Sequence, residues 1–600
     1  MIDLDSRSDQ PFGDKECGVS LTYNGEVFNY RELKQELEHL GHGFLTQSDT
    51  EVLLRAYLAW GEAFLERLDG MFAFGLYDQR SGTALLVRDR VGVKPLYYAE
   101  LPRAVIFASQ PSALLAWPGM NADPDPLGIS SFLSYRTVIG ERSLFRSIRK
   151  LEPGCLARVC KGKVEVDRWW RWQNESQSRR YGTQQIGRLL SKSIEQQLVA
   201  DVPVATLLSG GIDSSILAYE VAQSAKQKPV CFTGVVRGAA YDESAYAQEA
   251  ADRFGLEQRF VDIPSPTDLR MVEDLVHRRC HPLGMHNETA MYALAREISK
   301  DHKVVMSGEG ADELFAGYSR IFRMPFDCAR ARLLAHLPGS LGSPLSRRWG
   351  LPARQVSELD FFLSRYTYFP SSEKLSLATP NWRAAIDEDQ PLQSHFAREF
   401  AEVGGSLFNR ISQVFLSTHL PGLLEMVDNT TMAAGVEARV PYTNHRLVAA
   451  AQALPVKWKL RWNSPFAPID AFFQPISSFS ERLDTPKYLL KHLYRNVLPP
   501  SILSRRKMGF PLPLGRWAVS DESRNFRKLL FDEEPAVASF LDIGALKRWY
   551  ESERQAASDT FGKKLWLICN LEIFLRSLSG SAKAEGQRPA GFAAPLSAEP

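Results

Sequence analysis

The chain has 600 residues, 44% hydrophobic and 24% charged, and its 72 basic and 70 acidic side chains leave a formal charge of +2. That length suits roughly two to four domains, each able to bury its own core, which excludes a disordered chain or a small stapled scaffold. The near balance of charge gives no broad nucleic-acid footprint. The opening Met1-Ile2-Asp3-Leu4-Asp5 lacks an apolar leader core and no run of about 18 apolar residues follows, so a cytoplasmic protein without membrane contacts is expected. Seven cysteines (17, 155, 160, 231, 280, 328 and 569) are odd in number and contain no C-x-x-C pair. They read as small buried side chains in a reducing compartment.

To about residue 165 the pattern predicts strands with a few helices. Cys17 to Tyr23 reads as a strand ending at the turn Asn24-Gly25, and Leu33, Leu37 and Leu40 fall at helical spacing within Tyr30 to Leu40. Met71 to Tyr77 and Thr83 to Val87 flank Asp78-Gln79-Arg80-Ser81-Gly82 as a hairpin, and a second hairpin turns at Lys161-Gly162-Lys163. After Trp169, Trp170 and Trp172 the pattern changes to strand, glycine loop and helix, which marks a domain boundary between residues 168 and 169. Apolar runs at Val202 to Leu208, Val230 to Val236 and Lys303 to Met306 alternate with helical segments, as in a parallel sheet wrapped by helices. Beyond about residue 325 the chain reads as helical to residue 580, and residues 581–600, rich in Ala, Gly, Pro and Ser, read as a disordered tail.

Two glycine turns carry the chemistry. Leu207-Leu208-Ser209-Gly210-Gly211-Ile212-Asp213-Ser214-Ser215 lies between a predicted strand and a helix over Ser214 to Ala225. Its glycines let backbone approach an anion, and the helix start offers unpaired N–H groups, so the segment reads as a phosphate cradle. No Lys-Ser/Thr follows the glycines, so it is not the loop that holds a transferring γ-phosphate. Ser307-Gly308-Glu309-Gly310-Ala311-Asp312-Glu313 repeats the arrangement after another apolar strand. Taken alone, this turn serves equally as a helix cap. Two such turns at strand carboxyl ends converge on one crevice, where Asp213 and Asp312 could share Mg²⁺. His277, His281 and His286 are unevenly spaced in a polar loop and read as surface histidines rather than a metal cluster.

These residues carry a resemblance. Ser209 to Ser215 is similar to the pyrophosphate loop of ATP pyrophosphatases, and Ser307 to Glu313 resembles the S-G-E-G-x-D-E turn of glutamine-hydrolysing asparagine synthetases. Asn24 to Tyr30, Ser48 to Glu51, Asp69 to Phe74 and Arg88 to Tyr98 resemble that family's class II glutaminase domain. Tyr241 to Ser244, Val436 to Pro441 and Lys487 to Leu490 resemble its synthetase domain. The resemblance implies a mixed α/β and α+β fold: a layered αββα glutaminase-type domain over residues 1–168, truncated at its start, and an ATP-pyrophosphatase domain with a parallel sheet and helical extension over residues 169–580.

It also implies an AMP-forming carbon–nitrogen ligase, in which a carboxylate attacks ATP to give an acyl-adenylate and ammonia then displaces AMP. Glu309 is the implied base and Lys487 a stabilising cation, with Lys507 as its competitor; Asp213 and Asp312 are the implied magnesium ligands. ATP is implied to lie against Leu207, Ser209, Gly210, Gly211, Asp213, Ser214, Ser215, Gly234, Ser307 and Gly308, although Gly234 stands where the family has a branched apolar residue. Asn24, Gly25, Glu26 and Asp49 are the implied glutamine residues. The family's nucleophile is an N-terminal Cys, which Cys17, inside a predicted strand, does not replace, so a start roughly 50 residues too late is expected, with nitrogen from glutamine or free ammonia. The implied acceptor is aspartate and the implied assembly a homodimer. Cys280-His281-Pro282 departs from the family's D-E-P segment, and Gln258-Arg259 from its usual histidine pair. Two alternatives follow: an amidotransferase on another carboxylate, in a polysaccharide or natural-product pathway, or a silent binding protein. β-Lactam synthetases carry Tyr at the place of Glu309, which favours ammonia as the attacking group.

Overall fold

The computed structural model describes residues 2–584 apart from Leu4, Lys15, residues 173–180, 237–241, Pro266, 353–355, 507–512 and Glu533. The first half is built on a six-stranded antiparallel sheet whose neighbours run Phe12–Asp14, Val19–Val27, Gly70–Asp78, Thr83–Arg88, Cys155–Cys160 and Lys163–Arg168. Val19, Leu21 and Tyr23 alternate toward one face, where helices Tyr30–His39 and Asp49–Trp60 cover them with Leu33, Leu37, Val52 and Leu53. The other face packs Ala73, Leu86 and Ala157 against Tyr98 and Leu96 beside the three-stranded sheet Ala104–Ala108, Tyr97–Leu101 and Arg149–Lys150. Covered on both faces, Gly70–Asp78 is buried along most of its length, which is why it reads as an almost continuous apolar run.

The second half holds a five-stranded parallel sheet in the order Glu257–Asp262, Val230–Val235, Val204–Leu207, Val304–Met306 and Glu437–Arg439. Helices Thr183–Gln197, Ile212–Ser224, Ser244–Phe254 and His445–Gln452 bury one face, and Glu288–Ile298 with Leu420–Met432 bury the other. Covered on both faces, the central strands Val230–Val235, Val204–Leu207 and Val304–Met306 are short and mostly apolar, whereas the edge strands Glu257–Asp262 and Glu437–Arg439 carry charged side chains. The strand order reverses between Val204–Leu207 and Val304–Met306, which opens a crevice beyond their carboxyl ends.

Several expectations change. The strand beginning at Val19 does not stop at Asn24-Gly25 but runs through it, pairing Asn24 with Ala73 and Gly25 with Phe72. Cys17 lies half-buried in the turn before that strand, its N–H donating to Asp14 Oδ1 at 2.9 Å. The helix after the phosphate-cradle loop starts at Ile212, and the last helix runs to Ala584, past the expected start of the tail; residues 585–600 lie outside the described residues. The division at 168/169 separates sheets but not cores, because the largest core joins Tyr97, Phe132 and Ile148 to Leu275, Trp382, Phe396 and Trp566. Buried ion pairs cross the same division: Lys94 to Asp428 at 2.7 Å, Lys150 to Glu425 at 3.2 Å and Arg439 to Glu26 at 3.1 Å.

His281 is half-buried rather than open to solvent. Its ring meets Phe132 edge-on at 6.0 Å, and its Nδ1 lies 2.7 Å from the carbonyl of Pro282. Burial, and after it the nearby Arg279 guanidinium, pulls its pKa down to about 4. Among the described residues no group of three or more His, Cys, Asp and Glu is placed to hold a metal. Because the unfolded imidazole accepts a proton that the folded one refuses, stability should fall as pH drops from 6.5 toward 4 and level off below that. Thermal midpoints measured across this window should show a smaller drop for His281→Gln, by up to about 3 kcal/mol. Parallel profiles for the two proteins would remove His281 from the acid response.

Candidate active site

Both glycine turns sit at the carboxyl ends flanking the crevice. Val204–Leu207 leads into Ser209-Gly210-Gly211, and Asp213 occupies the first turn of the helix that follows. Ser214 Oγ accepts from the Ser209 N–H at 3.2 Å and lies 3.1 Å from Ser209 Oγ, so the serines brace the loop from inside. Val304–Met306 leads into Ser307-Gly308-Glu309, and the two turns touch: a Cβ on Gly308 would stand 3.3 Å from Asp213 Cβ and 3.4 Å from the Ser214 nitrogen. Asp213 is held from behind by the Tyr442 hydroxyl, which donates to its carbonyl at 3.1 Å.

Lys487 joins the turns. Its Nζ lies 2.8 Å from Asp312 Oδ1 and donates to Asp213 Oδ2, while the residue is only 5% exposed. Burial alone would pull its pKa down, but the two carboxylates reverse that and hold it above the ordinary lysine value. The contact needs glycine at position 317, where a Cβ would meet Asp312 Oδ1 at 1.7 Å and Lys487 Cε at 2.5 Å. Two carboxylates against one ammonium leave a net negative charge in a nest of hard oxygen donors, which fits a divalent cation such as Mg²⁺. Lys507 lies outside the described residues.

A cavity of about 980 Å³ opens over these groups. Leu207, Phe232, Gly234, Ile263 and Met291 form an apolar wall beside the loop, and the Ile263 side chain fills the space that a Cβ at Gly234 would need, 3.0 Å away. Ser209, Gly211, Asp213, Ser214, Ser307, Gly308, Glu309 and Asp312 all line the cavity. Gly210 sits to the side, its carbonyl accepting from Arg505 at 3.4 Å, and Ser215 is fully buried. Glu313, behind Asp312, accepts from the Tyr318 hydroxyl at 2.7 Å; burial, with the neighbouring Asp312 charge, pushes its pKa up to about 8. Tyr366 Oη lies 3.1 Å from His419 Nδ1, at the end of a π-helical turn over Phe415–His419.

The implied glutamine residues lie in the first half. Asn24 Nδ2 donates to Ser109 Oγ at 3.0 Å, Glu26 pairs with Arg439 across the halves, and Asp49 accepts from the Tyr23 hydroxyl at 2.8 Å and the Val27 N–H at 2.9 Å. Burial raises the pKa of both acids, that of Glu26 to about 7 against the pull of Arg439. Gly317, Tyr442 and Arg505 were not identified from sequence as members of the site. Only Gly317 had a local signal, a glycine four residues beyond the second motif.

Residues 185–576 match the asparagine synthase family and residues 1–170 a glutamine amidotransferase domain. A Mycobacterium tuberculosis protein provisionally named asparagine synthetase [glutamine-hydrolyzing] is 29% identical over 91% of this chain and 83% of its own length. Asparagine synthetase [glutamine-hydrolyzing] 1 of Bacillus subtilis is 26% identical over 95% of this chain and 87% of its own. A Penicillium rubens protein named an amidase is 25% identical over 98% and 90%. The synthase match spans both glycine turns, the parallel sheet and Lys487, and the chain accordingly belongs to the asparagine synthase family, carbon–nitrogen ligases that form an amide with ATP and an amido nitrogen donor.

Proposed function

We propose that the crevice between the two glycine turns adenylates a carboxylate acceptor, aspartate, and then converts the adenylate to an amide. An acceptor carboxylate oxygen forms a bond to the α-phosphorus of ATP as the bond to pyrophosphate breaks. Ammonia then bonds to the acyl carbon, AMP leaves, and one proton is released. What supports this reading most is the contact between the turns with Asp213, Lys487 and Asp312 at their junction. The N–H groups at the start of the helix Ile212–Ser224 serve the phosphates, and Leu207 with the apolar wall around Gly234 takes the base. Lys487 balances charge beside the departing pyrophosphate. Mg²⁺ bound by Asp213 and Asp312 would supply further stabilisation of phosphate oxygens. Glu309, open to the cavity, accepts the proton shed by ammonia. Asn24, Gly25, Glu26 and Asp49 form the glutamine subsite of the amidotransferase half, and the reading extends to a cytoplasmic homodimer.

Two measurements test these roles. In pyrophosphate release with ATP and aspartate, Glu309→Gln should keep the first half-reaction while slowing amide formation by roughly 10²-fold or more. Equal loss of both steps would assign Glu309 to binding or to structure. Lys487→Met should lower the thermal midpoint by an amount on the order of 3 kcal/mol, because it leaves two carboxylates facing each other without their cation. Added Mg²⁺ should return part of that loss. A variant that melts like the parent with and without Mg²⁺ would show that Lys487 does not balance these charges.

A further inference from the structure

Arg136 stands apart from the other cations of the cavity. It follows helix Pro126–Tyr135 as its C-cap, with φ at +66°, so it comes from the half of the chain that matches an amidotransferase domain. Yet it lines the 980 Å³ cavity of the second half and also a small cavity of about 30 Å³ behind it. Its position is over-determined. A Cβ on Gly284 would lie 2.3 Å from the Arg136 carbonyl oxygen, the Tyr368 N–H donates to the carbonyl of Ser134 at 2.8 Å, and the Arg136 guanidinium carbon lies 4.1 Å from the Tyr368 ring centroid.

Stacked in this way, the guanidinium is pre-oriented, but no counter-charge meets it. Its Nε is buried without a hydrogen-bond acceptor, and among the described residues no carboxylate lies within 4.0 Å of it. Arg365, on the same cavity wall, is by contrast bonded to Asp327 and to the carbonyl of Gly350. Arg320 and Lys563 are exposed. A half-buried, fixed guanidinium without an acid is stabilised when an anion arrives, and its planar fork suits a carboxylate.

Resting on the adenylation reading above, we infer that Arg136 binds the acceptor's second carboxylate, the one that does not react. Adenylation removes the charge of the reacting carboxylate, whereas an amino-acid dicarboxylate keeps its α-carboxylate charged throughout, and that group needs a cation in a cavity already holding Glu309, Asp312 and Asp213. Arg136 is then a specificity residue for a dicarboxylate acceptor. The amidotransferase half contributes part of the acceptor subsite as well as serving the nitrogen donor.

The experiment compares pyrophosphate release with aspartate and with 3-aminopropanoate, which keeps the reacting carboxylate and lacks the other, at saturating ATP and Mg²⁺. Arg136→Gln should raise the KM for aspartate roughly 10- to 100-fold while leaving the KM for ATP and the turnover of 3-aminopropanoate unchanged, so that the preference for aspartate collapses. Arg136→Lys, which keeps the charge without the fork, should recover part of it. Equal losses with both acceptors, or an unchanged KM for aspartate, would overturn the assignment. A parent enzyme that releases no pyrophosphate with either acceptor would remove the aspartate reading and this assignment with it, a result distinct from an active enzyme indifferent to Arg136.

Discussion

The ammonium of Lys487, enclosed between the carboxylates of Asp213 and Asp312, is the contact on which the site depends. Without a cation the two acids, each following the end of a different strand, would repel at short range in a medium that screens poorly. With it they can be held together, and the glycine turns that carry them can touch at Gly308. The same residue ties the helix starting at Tyr488 to the helix Ala311–Phe315, because Lys487 also donates its backbone N–H to the Phe315 carbonyl at 3.2 Å. Fold and chemistry share one requirement here: a dense negative site must be balanced from within before a substrate enters.

The two halves are joined by the same kind of physics on a larger scale. Arg439, fully buried at the end of the last parallel strand, donates to the carbonyls of Gln197 and Val199 and pairs with Glu437 and with Glu26 of the other half. Lys94 and Lys150 reach from the first half to Asp428 and Glu425 on the helix Leu420–Met432. Such pairs add little net stability over apolar contacts, but removing one member strands a charge, so they specify a single docking arrangement. Arg136 extends this pattern: a cation supplied by one half is completed by what binds in the other.

The two glycine turns were legible because their chemistry is local. A strand, a glycine pair and an acid at a helix start declare themselves in nine residues, and the parallel sheet follows from short apolar runs alternating with helical ones. Asn24-Gly25 misled as a turn because the dipeptide has the same composition whether it closes a hairpin or lies in a strand; pairing with Ala73 and Phe72 decides between them. His281 misled because polar neighbours suggested a surface, whereas the ring is covered by Phe132, 149 positions earlier in the chain.

By itself, then, the sequence indicated many of the elements, the succession of a hairpin-rich half and a parallel-sheet half, and the two glycine turns with their acids, since each rests on spacing within a few residues. Only the tertiary structure decided which charges meet. Lys487 reaches Asp213 across 274 positions, Glu425 joins Lys150 across 275, and the Nε of Arg136, on the cavity wall, is left without a hydrogen-bond acceptor. Periodicity and composition report on neighbours along the chain, while the energy of a buried charge is set by neighbours through space, and those are fixed only when the sheets, helices and turns have packed.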